Sequence, residues 1–301
     1  MSGNAARNVV AAFRARSSLS RIHFRPYPAL SFRRQIEAPI SMTTLLASDI
    51  DNTLTGDLPA LKELSAALWQ KQEAGELLLV LATGRRLAQV IAGFVGESLP
   101  EADAIISQVG TEIYLPPFRA EMVPLAAWDA YLHRHYSRER ALSFLDGIAG
   151  LEMQPEQYNT SLKVSAFLHQ APDPDAAAAR IGERIAAAGE AGQYRVIWSS
   201  GMHLDILPEA AGKGNALHFL LDYLSGQSDR NLELSPEQVI VAGDSGNDLA
   251  MFAAFERGIV VANAQPELKA LAEQGREGIY FARASYAAGV AEGLRYFDVL
   301  P

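Results

Sequence analysis

The chain has 301 residues, 49% of them apolar and 20% charged, with no cysteine and a formal net charge of -9. Without cysteine neither a disulfide framework nor a thiolate metal site is possible, which fits a reducing compartment. No apolar run approaches the roughly 18 to 20 residues that span a bilayer, so the expectation is a soluble, cytoplasmic protein.

The charge is unevenly placed. Residues 1–41 carry Arg7, Arg14, Arg16, Arg21, Arg25, Arg33 and Arg34 against Glu37 alone, leaving a strongly acidic remainder. An acidic body repels phosphate backbones and anionic lipid, so neither nucleic acid nor membrane is expected as a partner. The head, residues 1–42, has the Arg-rich, acid-poor composition of a transit peptide but lacks the apolar core of a secretory signal. The simpler reading is a disordered extension, with the fold starting beside Met42.

From there short apolar runs alternate with helical periodicity. Thr44 to Ser48 reads as a strand, followed by Leu61, Leu64 and Leu68 at helical spacing and a stop at Gly75. The run from Leu77 to Arg86 precedes Leu87, Val90, Ile91 and Phe94 on one helical face, and Ala104 to Ile106 gives a third strand. Beyond the middle of the chain come strands at VIVAG, GIVVA and GIYFA, with Pro266 suited to a first helical turn. These runs are apolar throughout, as in a parallel sheet covered on both faces. The expected class is α/β, a doubly wound parallel-sheet core formed by residues 43–121 and 209–301. Residues 122–208 differ. KVSAFLH and RVIWSS read as strands, MHLDILP alternates, and Asp175 to Ala188 is an alanine-rich helix, so a half-exposed antiparallel sheet is expected there. His133 and His135 are expected on a solvated helix surface, and Trp128 and Trp198 in the core.

In an open parallel sheet ligands collect at the carboxyl ends of the strands. Four polar clusters can reach that edge: Asp49 to Thr53, Thr83 with Gly84 and Arg85, Lys213, and Gly243 to Asp248. Each suits phosphoryl transfer. Asp49 can attack phosphorus and form an aspartyl-phosphate. Asp51 can protonate the leaving alkoxide and later deprotonate water, its proton affinity raised by neighbouring negative charge. Carboxylates facing a phosphate call for a hard cation, so Mg²⁺ is expected on Asp49, Asp244 and the Asp51 carbonyl, with Asp248 holding a ligand water or Asn247. Thr83, through its hydroxyl and backbone N–H, with Gly84, Lys213 and Asn247, would serve the phosphoryl group. Other readings of these residues fail on spacing. Leu54 stands where an EF-hand loop needs glycine, and Gly214 where a Walker loop needs Ser or Thr after its lysine.

DIDNT, ATGR, the lone Lys213 and GDSGND, in that order, resemble the four motifs of the haloacid dehalogenase superfamily. DIDNTLTGD, VGTEIY, SLKVS, LDILPEAAGKGNAL, VIVAGDSGNDLAMF and VVANAQPEL further resemble its sucrose-phosphate phosphatase family, close to mannosylfructose-phosphate phosphatase, over nearly all of residues 43–301. The resemblance implies a Mg²⁺-dependent phosphatase acting on a phosphorylated disaccharide, sucrose 6-phosphate first, and assigns residues 122–208 to a cap of the larger (C2) type that recognises the sugar. Gln157, Ser161, Lys163, His203 and Asp205 are then candidate sugar contacts, Lys163 foremost, against a solvated outer sheet face as the other reading. It implies a small-molecule sugar phosphate as partner and leaves association with a sugar-phosphate synthase, and oligomeric state, open. A sugar phosphomutase using the same aspartates, and an idle sugar-binding subunit of a glycosyltransferase, are the alternatives.

Overall fold

The computed structural model describes residues 43–226, 234–272 and 275–301; the extension expected at residues 1–42 lies outside them. In chain order the elements are β1 (Thr44–Ser48), α1 (Leu58–Glu73), β2 (Leu77–Ala82), α2 (Leu87–Gly96), β3 (Ala104–Ser107) and β4 (Glu112–Tyr114). Then follow α3 (Ala126–Leu132), α4 (Arg138–Ser143), β5 (Glu152–Met153), β6 (Val164–Phe167), α5 (Pro174–Ala187), β7 (Tyr194–Ser199) and β8 (His203–Pro208). The chain ends with α6 (Lys213–Ser225), β9 (Val239–Gly243), α7 (Leu249–Ala254), β10 (Arg257–Val260), α8 (Pro266–Lys269), β11 (Ile279–Phe281) and α9 (Tyr286–Tyr296).

Two sheets organise the molecule. The larger has the order β11-β10-β9-β1-β2-β3-β4. All its pairings are parallel except β3 with β4. The apolar runs become buried strands because helices cover both faces, and Leu45, Leu46, Leu79, Leu81, Ile105, Ile240 and Val241 are fully enclosed. On α1, Asp57 caps the first turn by accepting from Ala60 N at 3.1 Å, and Leu61, Leu64 and Leu68 form its buried stripe. The chain runs from β1 to β2 on one side and reaches β9 on the other. The carboxyl end of β1 is therefore the topological switch point, where an open α/β sheet leaves a crevice.

The second sheet is antiparallel, in the order β5-β6-β8-β7. Its alternation has a structural cause. Val164, Ala166, Leu204 and Ile206 pack with Ala178, Ile181 and Ile185 of α5, while Ser165 lies opposite Asp205 on the other face. That face turns to the large sheet: Ile197 and Leu207 belong to the main apolar cluster. The edge strands β4 and β5 are too short to stand out by periodicity and were not anticipated. His133 and His135 are exposed as expected, but in the turn after α3, which ends at Leu132. Trp128 is buried, donating Nε1–H to the Gly110 carbonyl at 3.1 Å. Trp198 is half-buried against the α5 cluster and donates to Asp175 at 2.7 Å, so its indole lies on the helix side of the antiparallel sheet. Among the described residues no helix is long and apolar enough to cross a membrane.

Candidate active site

Asp49 follows β1 directly and is almost fully buried. Such a carboxylate needs a partner, and Lys213 supplies it. The Lys213 Nζ, itself without solvent exposure, donates to Asp49 Oδ1 at 2.7 Å and to Asp248 Oδ1 at 2.6 Å. Lys213 reaches this depth because α6 begins on it, after Gly212 at φ 108°, a backbone angle that side chains disfavour. One ammonium thus joins points 164 and 35 positions away in sequence.

Asp248 and Asp244 share the turn after β9. The second Asp248 oxygen, Oδ2, accepts from the backbone N–H groups of Asp244 and Ser245 at 2.9 and 3.1 Å. Asp244 Oδ1 accepts from the Thr53 hydroxyl at 3.4 Å. Carboxylate oxygens of Asp49, Asp244 and Asp248 all lie within 4.8 Å of one another. The charges tell on one another. Burial, helped by Asp248 and Asp244 and opposed by Lys213, holds the Asp49 carboxyl above its ordinary pKa. Burial and then Asp248 push Asp244 up to about 7, Lys213 and the Thr53 bond working the other way. Burial opposes the Lys213 charge, but Asp248 and Asp49 outweigh it and its pKa is raised. Three crowded acids with one lysine are an oxygen-donor set short of positive charge, as a hard divalent cation requires. The buried Asn247 Oδ1 has no hydrogen-bond partner. An orphaned acceptor there fits a cation or its water, while Nδ2 of the same amide is the donor side available to a phosphoryl oxygen.

Asp51 is placed differently. It is exposed, and its carboxylate is forked by Arg85, with Nε to Oδ2 at 2.9 Å and Nη2 to Oδ1 at 2.7 Å. The sequence reading surrounded Asp51 with negative charge and gave Arg85 no role, yet its immediate partner is a cation. Thr83 is fully buried at the end of β2. Its backbone N–H is already donated to the Ile106 carbonyl at 2.8 Å, which removes it as a phosphate donor, and its hydroxyl accepts from Arg85 N at 3.1 Å. Gly84 is half-buried beside it.

The five cap candidates separate. Gln157 and Ser161 are exposed. Lys163 and Asp205 are buried, their charges 3.9 Å apart, and Asp205 also accepts from the Ser165 hydroxyl at 2.5 Å. For these two the solvated outer face is overturned, because their side of the sheet is the one turned to the core. His203 is half-buried, and its pKa is lowered by that burial. Ser165 was not singled out, although alternation along β6 pairs it with Asp205.

Gln108, Val109 and Gly246 also border the site. Gln108 and Val109 hold positive φ values of 51° and 60° at the end of β3, bonded to the Arg85 and Thr83 carbonyls. Gly246, in the GDSGND turn, has room only for hydrogen, since a Cβ would stand 2.7 Å from the Trp198 carbonyl of β7. The antiparallel sheet therefore meets the acidic turn directly.

The comparisons with known proteins agree with this geometry. The family model described as sucrose-6F-phosphate phosphohydrolase matches residues 42–298. The mannosylfructose-phosphate phosphatase of Agrobacterium fabrum is 36% identical over 259 residues, covering 85% of this chain and 98% of the relative. Sucrose-phosphatase 1 of Nicotiana tabacum is 30% identical over 85% of this chain, which spans 60% of that longer protein. Among solved structures, the sucrose-phosphatase of Synechocystis, in complex with sucrose and phosphate, is 33% identical with a TM-score of 0.75, covering 85% of this chain and 98% of that one. A haloacid dehalogenase subclass IIB sugar phosphatase, 14% identical with a TM-score of 0.59, shares the fold. With its Rossmann-like core, its buried aspartates on a sheet switch point and a family model matching residues 42–298, the chain belongs to the sucrose-6F-phosphate phosphohydrolase family, haloacid dehalogenase-type phosphoric monoester hydrolases acting on sugar phosphates.

Proposed function

We propose that the protein hydrolyses a phosphorylated disaccharide, sucrose 6-phosphate first and mannosylfructose phosphate as the alternative, through an aspartyl-phosphate on Asp49. The observation that carries this is the single ammonium of Lys213 holding Asp49 and Asp248 beside Asp244 at the switch point. Lys213 occupies Asp49 Oδ1, and among the described residues no donor reaches Oδ2, which is the oxygen left to attack. As that oxygen bonds to phosphorus, the phosphorus–sugar bond breaks with its electron pair on the sugar oxygen, which takes a proton from Asp51. In the second half water attacks phosphorus, gives its proton to Asp51, and the pair returns to Asp49. Thr83 Oγ1 and Gly84 N–H orient the phosphoryl oxygens while Lys213 offsets their charge.

Asp49, Asp244 and the Asp51 carbonyl would hold Mg²⁺, Asn247 would accept from its water, and Asp248, both oxygens engaged, would act through Lys213 and its turn. Bound there, the ion would neutralise phosphoryl charge. Residues 122–208 act as the cap over residues 43–121 and 209–301, with Lys163, Asp205 and His203 facing the sugar and Gln157 and Ser161 at the rim. The substrate choice rests on the names of relatives, which divide between sucrose and mannosylfructose.

The test is phosphate release from sucrose 6-phosphate, mannosylfructose phosphate, mannosylglycerate phosphate and hexose phosphates at fixed Mg²⁺, beside Asp49→Asn. A disaccharide phosphate should lead, and the variant should lose on the order of 10⁴-fold or more, the scale of losing a covalent nucleophile. Isomerised product without free phosphate would mark a mutase. An Asp49→Asn enzyme of normal rate would overturn the mechanism.

A further inference from the structure

Arg85 is a strong charge at the site edge that the chemistry above does not use. Its residue is fixed on three sides. The backbone N–H donates to Thr83 Oγ1 at 3.1 Å, the carbonyl accepts from Gln108 N at 3.1 Å, and the guanidinium donates to Glu97 through Nη1 at 2.7 Å and Nη2 at 2.8 Å. The remaining edge of the fork faces Asp51. Asp51 is the more exposed partner, its side chain 53% exposed against 14% for Arg85, and among the described residues the Arg85 fork is what holds it. Exposed ion pairs are ordinarily worth little, but a forked guanidinium held from behind sets direction as well as charge.

We propose that Arg85, braced by Glu97, is the positioning residue that aims Asp51 at the leaving oxygen of the substrate. This rests on the phosphatase reading above. Asp51 Oδ1 accepts from both Nη2 and Nε, at 2.7 and 3.2 Å, while Oδ2 accepts from Nε alone and keeps a lone pair for the proton in transit. Without the fork the side chain swings into solvent, and the proton no longer meets the sugar oxygen as the phosphorus–oxygen bond breaks. Proton transfer by a positioned group supplies about 10²- to 10⁴-fold, and a misaimed group forfeits part of that.

The consequence depends on the leaving group. A sugar alkoxide needs the proton as it departs, whereas p-nitrophenolate leaves without it. Single-turnover quench-flow with Mg²⁺ on the full-length protein separates the two, comparing its preferred sugar phosphate with p-nitrophenyl phosphate. Arg85→Ala should slow phosphoryl transfer from the sugar ester about 10- to 100-fold while changing transfer from the aryl ester less than about three-fold. Arg85→Lys, which keeps a charge but loses the fork, should fall between it and wild type. Glu97→Gln, at a half-exposed position, should show the same selectivity at a few-fold. Equal losses on both esters, or none, would overturn the proposal, because a structural role of Arg85 would move both together. If Arg85→Ala does not fold by circular dichroism, Glu97→Gln decides: a selective loss supports the assignment and an unchanged ratio overturns it. A wild-type protein inert toward both esters would overturn the phosphatase reading and this one with it. Activity on both with uniform losses in the variants would remove the Arg85 assignment alone.

Discussion

The two polar faces of the cleft are built on different terms. On the core side the deepest charges are interlocked: Lys213 on Asp49 and Asp248, and Asp248 on the backbone of its own turn. On the antiparallel sheet the polar groups are graded, from buried Lys163, Ser165 and Asp205 through half-buried His203 to exposed Gln157 and Ser161. The difference teaches where change is tolerated. Phosphoryl transfer poses one geometric problem with few solutions, so its residues are bound to one another. Sugar recognition, the role proposed for the antiparallel sheet, poses many, and the residues assigned to it are bound chiefly to the sheet that carries them.

Removing the interlock should cost most. Lys213→Met leaves buried Asp49 and Asp248 without their cation, and breaking a buried pair of this kind costs about 3–5 kcal/mol. Urea unfolding without metal should register that loss, and Mg²⁺ should restore part of the stability but not the turnover. A core-side lysine that could be removed with no change in either would end the contrast. Next is Lys163→Met on the other face. It should raise KM for the disaccharide phosphate about 10-fold, the scale of a charge-assisted hydrogen bond, and leave p-nitrophenyl phosphate nearly untouched. Gln157→Ala, exposed at the rim, should change neither by more than about two-fold.

The smallest effect concerns protons. Asp244, raised from 3.8 to about 7, is protonated in the metal-free protein at a pH below that value. Mg²⁺ must displace this proton, so its affinity should weaken as the pH falls below about 7, with proton release measurable by calorimetry in buffers of different ionisation enthalpy. The sign for folding is opposite. A raised carboxyl stabilises the metal-free fold most below its unfolded pKa, and that contribution is lost as the pH climbs through about 7. Proton release that does not vary across this range would remove Asp244 from the ion's ligands.

Much of this was legible in the sequence, for a physical reason. Strands buried on both faces leave continuous apolar runs, so β1, β2 and β9 stand out, and acids directly behind such runs mark the carboxyl edge of the sheet. The graded sheet wrote only a weak signal. Lys163 and Asp205 alternate with apolar residues exactly as solvated side chains would, and only the packing of β7 and β8 against the core tells them apart. Arg85 escaped because its motif was read for Thr83 and Gly84, and its brace, Glu97, lies a whole helix downstream. The backbone bond that occupies Thr83 N–H depends on β3, which residues 83 to 85 do not encode.

The placement of β1 between β2 and β9 has a consequence for biosynthesis. Leu45 meets Leu78 soon after both are made, but its other neighbour, Val239, is translated only after the whole antiparallel sheet has been made. Contacts of such separation form late. On the mechanism proposed above, a nascent chain carrying Asp49 and Asp51 is therefore chemically mute until the ribosome has delivered Lys213 and Asp248. The carboxylate proposed as nucleophile gains its ammonium partner only after the sheet that meets the acidic turn has been made.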